Sequence, residues 1–385
     1  MSWPLVKLGE VAPSKALKNP VVLSDDNVWQ LNLDMVESNS GRVINKLKAP
    51  LREAGSSTHW FDERHVLYSK LRPYLNKVVL PDEQGLATTE LVPMLPDPEK
   101  LDRRYLVHYL RSKQFVSWIS DQVAGAKMPR VSMKIFWDHE IPLPPLAEQK
   151  RIAAILDKAD AIRQKRKQAI ELADEFLRSV FLDMFGDPVT NPKGWEVKPL
   201  KCVADIVTGN TPSRNDAENY GAFIEWIKSD NINTPSHFLT QAEEYLSEVG
   251  MFKGRTVDEG SILMTCIAGS LSCIGNIAIA NRKVAFNQQI NALVPNKSVY
   301  LEYLYALMLC SKEQIQNSST NSMKGMVSKG TLSALSFPVA SIEEQNKFVK
   351  VFNKYLELID KKSVFSSESA NSFNSLSQKA FSGQL

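Results

Sequence analysis

From Ile152 onward, apolar residues return at alternating intervals of three and four, and no glycine or proline interrupts the chain between Pro145 and Gly186. With Ile152, Ala159, Arg166, Ala173 and Val180 at heptad position a, Ile155, Ile162, Ala169 and Phe176 fall at d, which is the seam of a coiled coil. Pro142, Pro144 and Pro145 fix extended backbone ahead of this stretch, and Gly186 and Pro188 stop it. The spacing predicts one helix of about 40 residues, roughly 60 Å long. A helix of that length needs a partner along its apolar stripe.

The partner is legible in the same chain. IPLPPLAEQ at 141–149 returns as FPVASIEEQ at 337–345, an offset of 196, and the seam returns as Phe348, Val351, Tyr355, Leu358, Lys362 and Phe365. A helix leaving a first domain and a second helix returning from another must run antiparallel. Lys362 falls where Arg166 falls, so each helix carries a cation at the same register. Two readings stand: the cations set the register at some cost in stability, or their stems pass the seam with the charges in water. Ser369 and Ser372 weaken the second copy before Leu376, so its far end is expected to pack less tightly.

Strand-like and helical patterns alternate in the remainder. Residues 3–11 and 28–33 read as strands by alternation, residues 66–80 as two strands around Arg72-Pro73, and residues 101–122 as helical. A basic, glycine-containing loop, AGAKMPRVSM at 124–133, precedes the prolines. The plan repeats from Trp195, 192 positions after Trp3: residues 257–295 are strand-rich, 300–316 helical, and NSMKGMVSK at 321–329 stands where 125–133 stands. The predicted fold class is α+β, with two globular domains joined by two long antiparallel coiled-coil helices in a pseudo-two-fold repeat. The boundaries are 1–144 for the first domain, 145–186 for the first helix, 187–340 for the second domain and 341–385 for the second helix. Alike in plan and unlike in sequence, the domains are suited to one task on two different targets.

Composition narrows the function classes. A chain of 385 residues with 43% hydrophobic content has room for two or three folded domains. Its net charge of +3 is too small to announce a nucleic-acid binder by itself. Cys202, Cys266, Cys273 and Cys310 form no CxxC pair, so neither a disulfide frame nor a zinc site is expected, in keeping with a cytoplasmic protein. No secretory leader pattern follows Met1. The uncharged stretch 261–281 is long enough on paper to span a bilayer, but its glycines and hydroxyl residues favour buried strands broken at turns. No phosphate loop, H-E-x-x-H pair, dinucleotide fingerprint or Asn/Asp-Pro-Pro-aromatic tetrad occurs. These absences predict a non-enzymatic chain with no catalytic residue, no metal and no cofactor of its own, against the rival of a self-sufficient methyltransferase or nuclease.

The proline-to-helix joints PLPPLAEQKRIAAILDKAD at 142–160 and PVASIEEQNKF at 338–348 carry a family likeness. So do FLRSVFLDMFGDP at 176–188, the turn TGNTPS at 208–213 and QKAFSGQL at 378–385. With these segments the chain resembles a specificity subunit of a type I restriction–modification system. The resemblance implies two target recognition domains, each reading one part of a bipartite double-stranded DNA site. It implies helices that set the spacing and dock two methyltransferase subunits, and through them restriction subunits. S-adenosylmethionine, ATP and Mg would then belong to the partners, and no membrane is involved. The second joint departs from the family pattern in lacking the Pro-Pro pair. Base readout needs amide, hydroxyl and cationic side chains on loops that reach groove edges. The candidates are Lys70, Arg72, Tyr74, Lys127 and Arg130 in the first domain, and Thr211, Ser213, Lys228, Asn231, Asn287, Gln288, Gln289 and Lys324 in the second.

Overall fold

The computed structural model describes residues 3–22, 27–124, 128–320 and 325–385, and within these the side chains of all but residues 124 and 359–372. The chain divides into two compact units, residues 1–167 with 363–385 and residues 168–362. These boundaries cut through the middle of both long helices, Leu146–Phe185 and Ile342–Phe381. Each unit therefore owns the start of one helix and the end of the other.

In the first unit a four-stranded sheet runs in the order Lys48–Pro50, Asn27–Leu31, Gly85–Thr88, Thr58–Phe61, with the central pair parallel. A three-stranded sheet follows the order Val78–Val79, Val66–Ser69, Leu91–Met94. The second unit repeats the first of these with Tyr245–Leu246, Tyr220–Ile227, Val284–Phe286 and Thr256–Val257, again with a parallel central pair. It extends the other to four strands by adding Ala204–Thr208 to Ile290–Pro295. At the corresponding place the first unit has one isolated bridge, Ser14 to Met94. Residues 261–281 form the buried strands Ile262–Thr265 and Ile277–Ile279, turned at Gly275 with φ +77°. Among the described residues no helix is long and apolar enough to cross a membrane.

Two local expectations need correction. The segment 3–11 is a short strand, Leu5–Lys7, followed by a helical turn, Leu8–Val11, which the Ala12 amide closes on the Leu8 carbonyl at 2.9 Å. The helix at 101–122 is two helices, Arg103–Arg111 and Lys113–Ser120, divided at Ser112, whose hydroxyl caps the second through the Phe115 amide. The second unit has the same division at Ser311, between Leu301–Cys310 and Lys312–Asn317.

The joint between domain and helix is built twice with matching bonds. Leu5 pairs with Pro142, and Val197 pairs with Pro338, at offsets of 192 and 196. The Tyr105 hydroxyl donates to the Pro142 carbonyl at 2.8 Å, and the Tyr303 hydroxyl to the Pro338 carbonyl at 2.9 Å. Gln149, fully buried, donates to the carbonyls of Lys100 and Pro144 and accepts from the Asp102 amide, all at 2.8 Å. Gln345, equally buried, donates to Ser298 and Ala340 at 3.3 and 2.8 Å and accepts from the Tyr300 amide at 2.9 Å. A buried amide with all its partners satisfied holds the helix start at a fixed angle to the preceding loop.

Within each unit the helix pair runs antiparallel. In the second unit Phe181 and Phe185 pack their rings on Phe348 at 5.4 and 5.7 Å. In the first, Phe381 packs on Tyr105 and Tyr109 and joins the core that holds Ile152, Ala153 and Leu156. The seam is displaced from the expected one by a position on alternate turns. Ile152, Phe348 and Tyr355 are buried, and Ala159, Arg166, Ala169, Ala173, Val180 and Val351 are partly buried. Of the expected d residues, Ile155 is partly buried, Ile162 is 42% exposed and Phe176 is 60% exposed, and Leu358 on the second helix is 60% exposed. Leu156 and Leu177 are buried in place of Ile155 and Phe176, so the spacing from Ile152 and Ala173 is four and then three. Adjacent apolar pairs satisfy either order, and the core of each unit selects one, Leu156 joining the cluster of Leu106 and Leu110 and Leu177 that of Leu304 and Leu307. The side chains of Lys362 and Phe365 lie outside the described residues.

Candidate nucleic-acid interface

In the first unit the candidates converge on one loop cluster. The loop after Val66–Ser69 is tied to the basic loop by two backbone bonds, Val131 amide to Lys70 carbonyl at 3.0 Å and Arg72 amide to Pro129 carbonyl at 2.8 Å. Arg72 sits in the left-handed region at φ +48° just before Pro73, which leaves its side chain exposed at the loop's tip beside the exposed Tyr74. Lys70 is partly buried, and its charge, after burial, helps to hold the His59 imidazole below its ordinary range. Arg130 is exposed but not free, because its guanidinium forks onto Glu90 with Nη2 at 2.9 Å and Nε at 3.3 Å. Lys127 lies outside the described residues.

In the second unit the turn 208–210 is pressed against the loop 286–290. The Gly209 amide donates to the Ile290 carbonyl and the Asn210 amide to the Phe286 carbonyl, at 3.0 and 3.1 Å. A Cβ at Gly209 would meet the Asn287 carbonyl oxygen at 2.2 Å, so only glycine allows the approach. The result is that the Thr211 hydroxyl donates to the Gln288 side-chain oxygen, with both residues exposed. Lys228 lies next to this loop, since the Asn287 amide donates to the carbonyl of Ile227. Its ammonium and the Arg214 guanidinium both bind Glu244, whose carboxyl they hold below the usual range, Lys228 contributing first. Both cations also lie over the Trp226 ring, at 5.4 and 5.3 Å. Ser213 is exposed and its carbonyl accepts from Asn219. Lys324 lies outside the described residues.

Two of the candidate amides spend their side chains on turns. Asn231 accepts from the Lys228 amide at 3.0 Å and donates to Thr240 and to the Gln241 carbonyl, which spends both ends of its side chain on a turn. Asn287 is 7% exposed; it accepts from the Gln289 amide and donates to the Gln289 side chain. Both are turn formers, a use to which asparagine is suited because its side chain bonds backbone a few residues away. Conversely, Glu90, Arg214, Trp226 and Glu244 were not singled out by sequence. The signal for Glu90 and Glu244 exists only across 40 and 30 residues of chain, as ion pairs with Arg130 and Arg214. No group of three or more His, Cys, Asp or Glu among the described residues is placed to hold a metal ion.

The family profile described as "Type I restriction modification DNA specificity domain" matches residues 63–172 and 192–363, one match in each half. The chain is 31% identical over 176 residues to the MjaIX specificity subunit of a type I restriction enzyme from Methanocaldococcus jannaschii, a stretch covering 44% of this chain and 40% of that one. It is 25% identical over 234 residues to the EcoDI specificity subunit from Escherichia coli, covering 60% and 49%. In both cases the match spans less than half the length of the relative. The fold is shared with the solved S subunit of a type I restriction–modification system from M. genitalium, at TM-score 0.56 and 15% identity over 98% of this chain and 96% of that one. A chain solved for the assembly and conformational transition of the type I system matches at TM-score 0.50 and 18% identity, over 100% and 98%. With the family matched over well more than half of its length and on both repeats, this chain belongs to the type I restriction–modification DNA specificity family.

Proposed function

We propose that this chain is the sequence-reading, non-catalytic subunit of a type I restriction–modification complex. Each unit reads one part of a bipartite, asymmetric duplex site. The observation that carries this reading is the contrast within the repeat. The joint at Gln149 is reproduced bond for bond at Gln345, while the loops at its far side present Arg72, Arg130 and Glu90 in one unit and Thr211, Gln288 and Gln289 in the other. A common scaffold with unlike polar edges is what two different base sequences require. Cationic and hydroxyl side chains would meet phosphates and position the reader, and the amide, carboxylate and guanidinium groups would meet base edges.

The long helices separate the readers and offer their outer faces to two methyltransferase subunits, which recruit the restriction subunits. S-adenosylmethionine, ATP and Mg belong to those partners. The domain limits 1–144 and 187–340, with helices 145–186 and 341–385 between and after them, are the functional division. Half-sites on one duplex face lie about one turn apart, ~34 to 36 Å, which a 40-residue helix of roughly 60 Å can bridge.

The test is methylation sequencing of DNA exposed to the chain with its cognate modification subunits. A two-part asymmetric motif is expected, together with no methyl transfer from S-adenosylmethionine by the purified chain alone. Methyl transfer by the chain alone would refute the reading. Four residues inserted after Lys167 should lengthen the gap by one or two base pairs, since they add ~6 Å of helix. An unchanged gap in an active variant would sink the spacer role.

A further inference from the structure

We propose that Glu90 and Gln289 are the matched base-reading positions of the two units, Glu90 accepting from a cytosine amino group and Gln289 pairing with the edge of an adenine. The inference rests on the reading above that each unit faces duplex DNA.

The equivalence of the two positions is set by backbone bonds. The Glu90 carbonyl accepts from the Lys70 amide at 3.0 Å, and the Gln289 carbonyl accepts from the Cys266 amide at 2.8 Å. Lys70 in turn accepts from Val131 at 3.0 Å, and Cys266 from Val327 at 2.9 Å. Beside them Leu71 bridges Arg130, and Ile267 pairs with Met326. Lys70, Leu71, Arg130 and Val131 thus recur 196 residues later as Cys266, Ile267, Met326 and Val327. Glu90 and Gln289 each immediately precede the strand that continues this frame, Leu91–Met94 and Ile290–Pro295.

What changes within the constant frame is hydrogen-bonding chemistry. The first slot holds a carboxylate and a guanidinium, and the second an amide and a thioether. Glu90 is held in one orientation by both oxygens, through the Arg130 fork. An ion pair with Arg130 this exposed contributes little to stability, so the pairing alone does not explain the carboxylate. A carboxylate only accepts, and among bases in the major groove the exocyclic amine of cytosine is a donor that fits it. Arg130 offsets its charge against the phosphates. Gln289 receives the Asn287 amine on its side-chain oxygen at 3.3 Å, while its own amine has no protein partner among the described residues. An amide offers one donor and one acceptor, the complement of adenine N7 and N6.

The experiment swaps the two chemistries in the full complex with the modification subunits and reads the methylated motif by sequencing. Glu90→Gln should replace cytosine by adenine at one position of one half-site, a change in preference of about 5- to 150-fold, with the other half-site untouched. Gln289→Glu should make the reverse change in the other half-site. A motif unchanged in an active variant, or relaxed equally at many positions or in both parts, overturns the assignment. Should Glu90→Gln fail to fold, Gln289→Glu decides independently. The wild-type motif also decides, because a first part without a C·G pair or a second part without an A·T pair is incompatible with the proposal. A wild-type complex that methylates no two-part site would instead sink the underlying reading, and that result is seen before any variant is made.

Discussion

Gln149 and Gln345, 196 residues apart, are both fully buried and each makes the same three bonds, two donated to loop carbonyls and one accepted from the residue that caps the first helix of the preceding pair. Arg130 and Met326, separated by the same interval, share a backbone position and nothing else: one is forked onto Glu90, the other is an exposed thioether. The joint must place a long helix at one angle in both units, and a buried amide missing any one partner would leave an unsatisfied group in the core. The loop edge carries no such demand, because its side chains end in solvent until a ligand arrives. Identity is therefore enforced where the geometry is buried, and difference is tolerated where it is exposed.

The largest expected effect tests the joint. Gln149→Ala and Gln345→Ala should each destabilise the chain by about 3 kcal/mol in urea unfolding, since three buried bonds are lost and their partners left unpaired. Nearly equal losses would sharpen the comparison, whereas a loss under about 1 kcal/mol at either site would break it. Leu177→Ala should cost about 3 kcal/mol, as for a buried leucine, and Phe176→Ala under about 0.5 kcal/mol. The reverse ranking would restore the seam through Phe176.

At the loop edge, Arg130→Ala should weaken discrimination in the first part of the DNA site by about 1 to 3 kcal/mol and leave the second part unchanged. Binding titrations with duplexes altered in one part at a time would show this, and equal weakening in both parts would count against separate readers.

A smaller effect concerns acid. Burial against Trp118, with ring centroids 3.9 Å apart, pushes the His139 imidazole down to about 4, and the corresponding residue in the second unit is Leu335. Between its ordinary value of 6.5 and about 4 the unfolded chain binds a proton that the folded chain refuses. Stability of the first unit should therefore fall as pH drops through that window, by roughly 2 kcal/mol in total, less than the ~3.4 kcal/mol of the full shift because the partly exposed ring is screened by solvent. Urea unfolding across a pH series, with His139→Leu as the reference, should give a flatter profile for the variant. Equal slopes for both proteins would remove His139 as the cause.

Much of the architecture was legible in residue order. The proline clusters, the glycine stops and the 196-residue recurrence are local or periodic signals, so the two long helices and the doubled plan followed from them. The turn at Gly209 was likewise visible in TGNTPS, although its reason, a carbonyl 2.2 Å from where a Cβ would sit, was not.

What only tertiary structure decided has one physical cause: the outcome depended on groups distant in sequence. At the seam, Ile155-Leu156 and Phe176-Leu177 each offered two adjacent apolar side chains, and only the packed core of each unit chose Leu156 and Leu177. In the loops 70–74 and 286–290 and the turns beside them, residue type could not separate an available side chain from a turn former. Asn231 and Asn287 have the same side chain that base recognition uses, but both were claimed by nearby amides and carbonyls once the backbone had folded. Sequence by itself determined the elements and their repetition, because helix and turn preferences act over a few residues. Which face of a helix is covered, and which polar side chain remains available to a ligand, was decided by the fold, because both depend on partners that the chain brings together only when it closes.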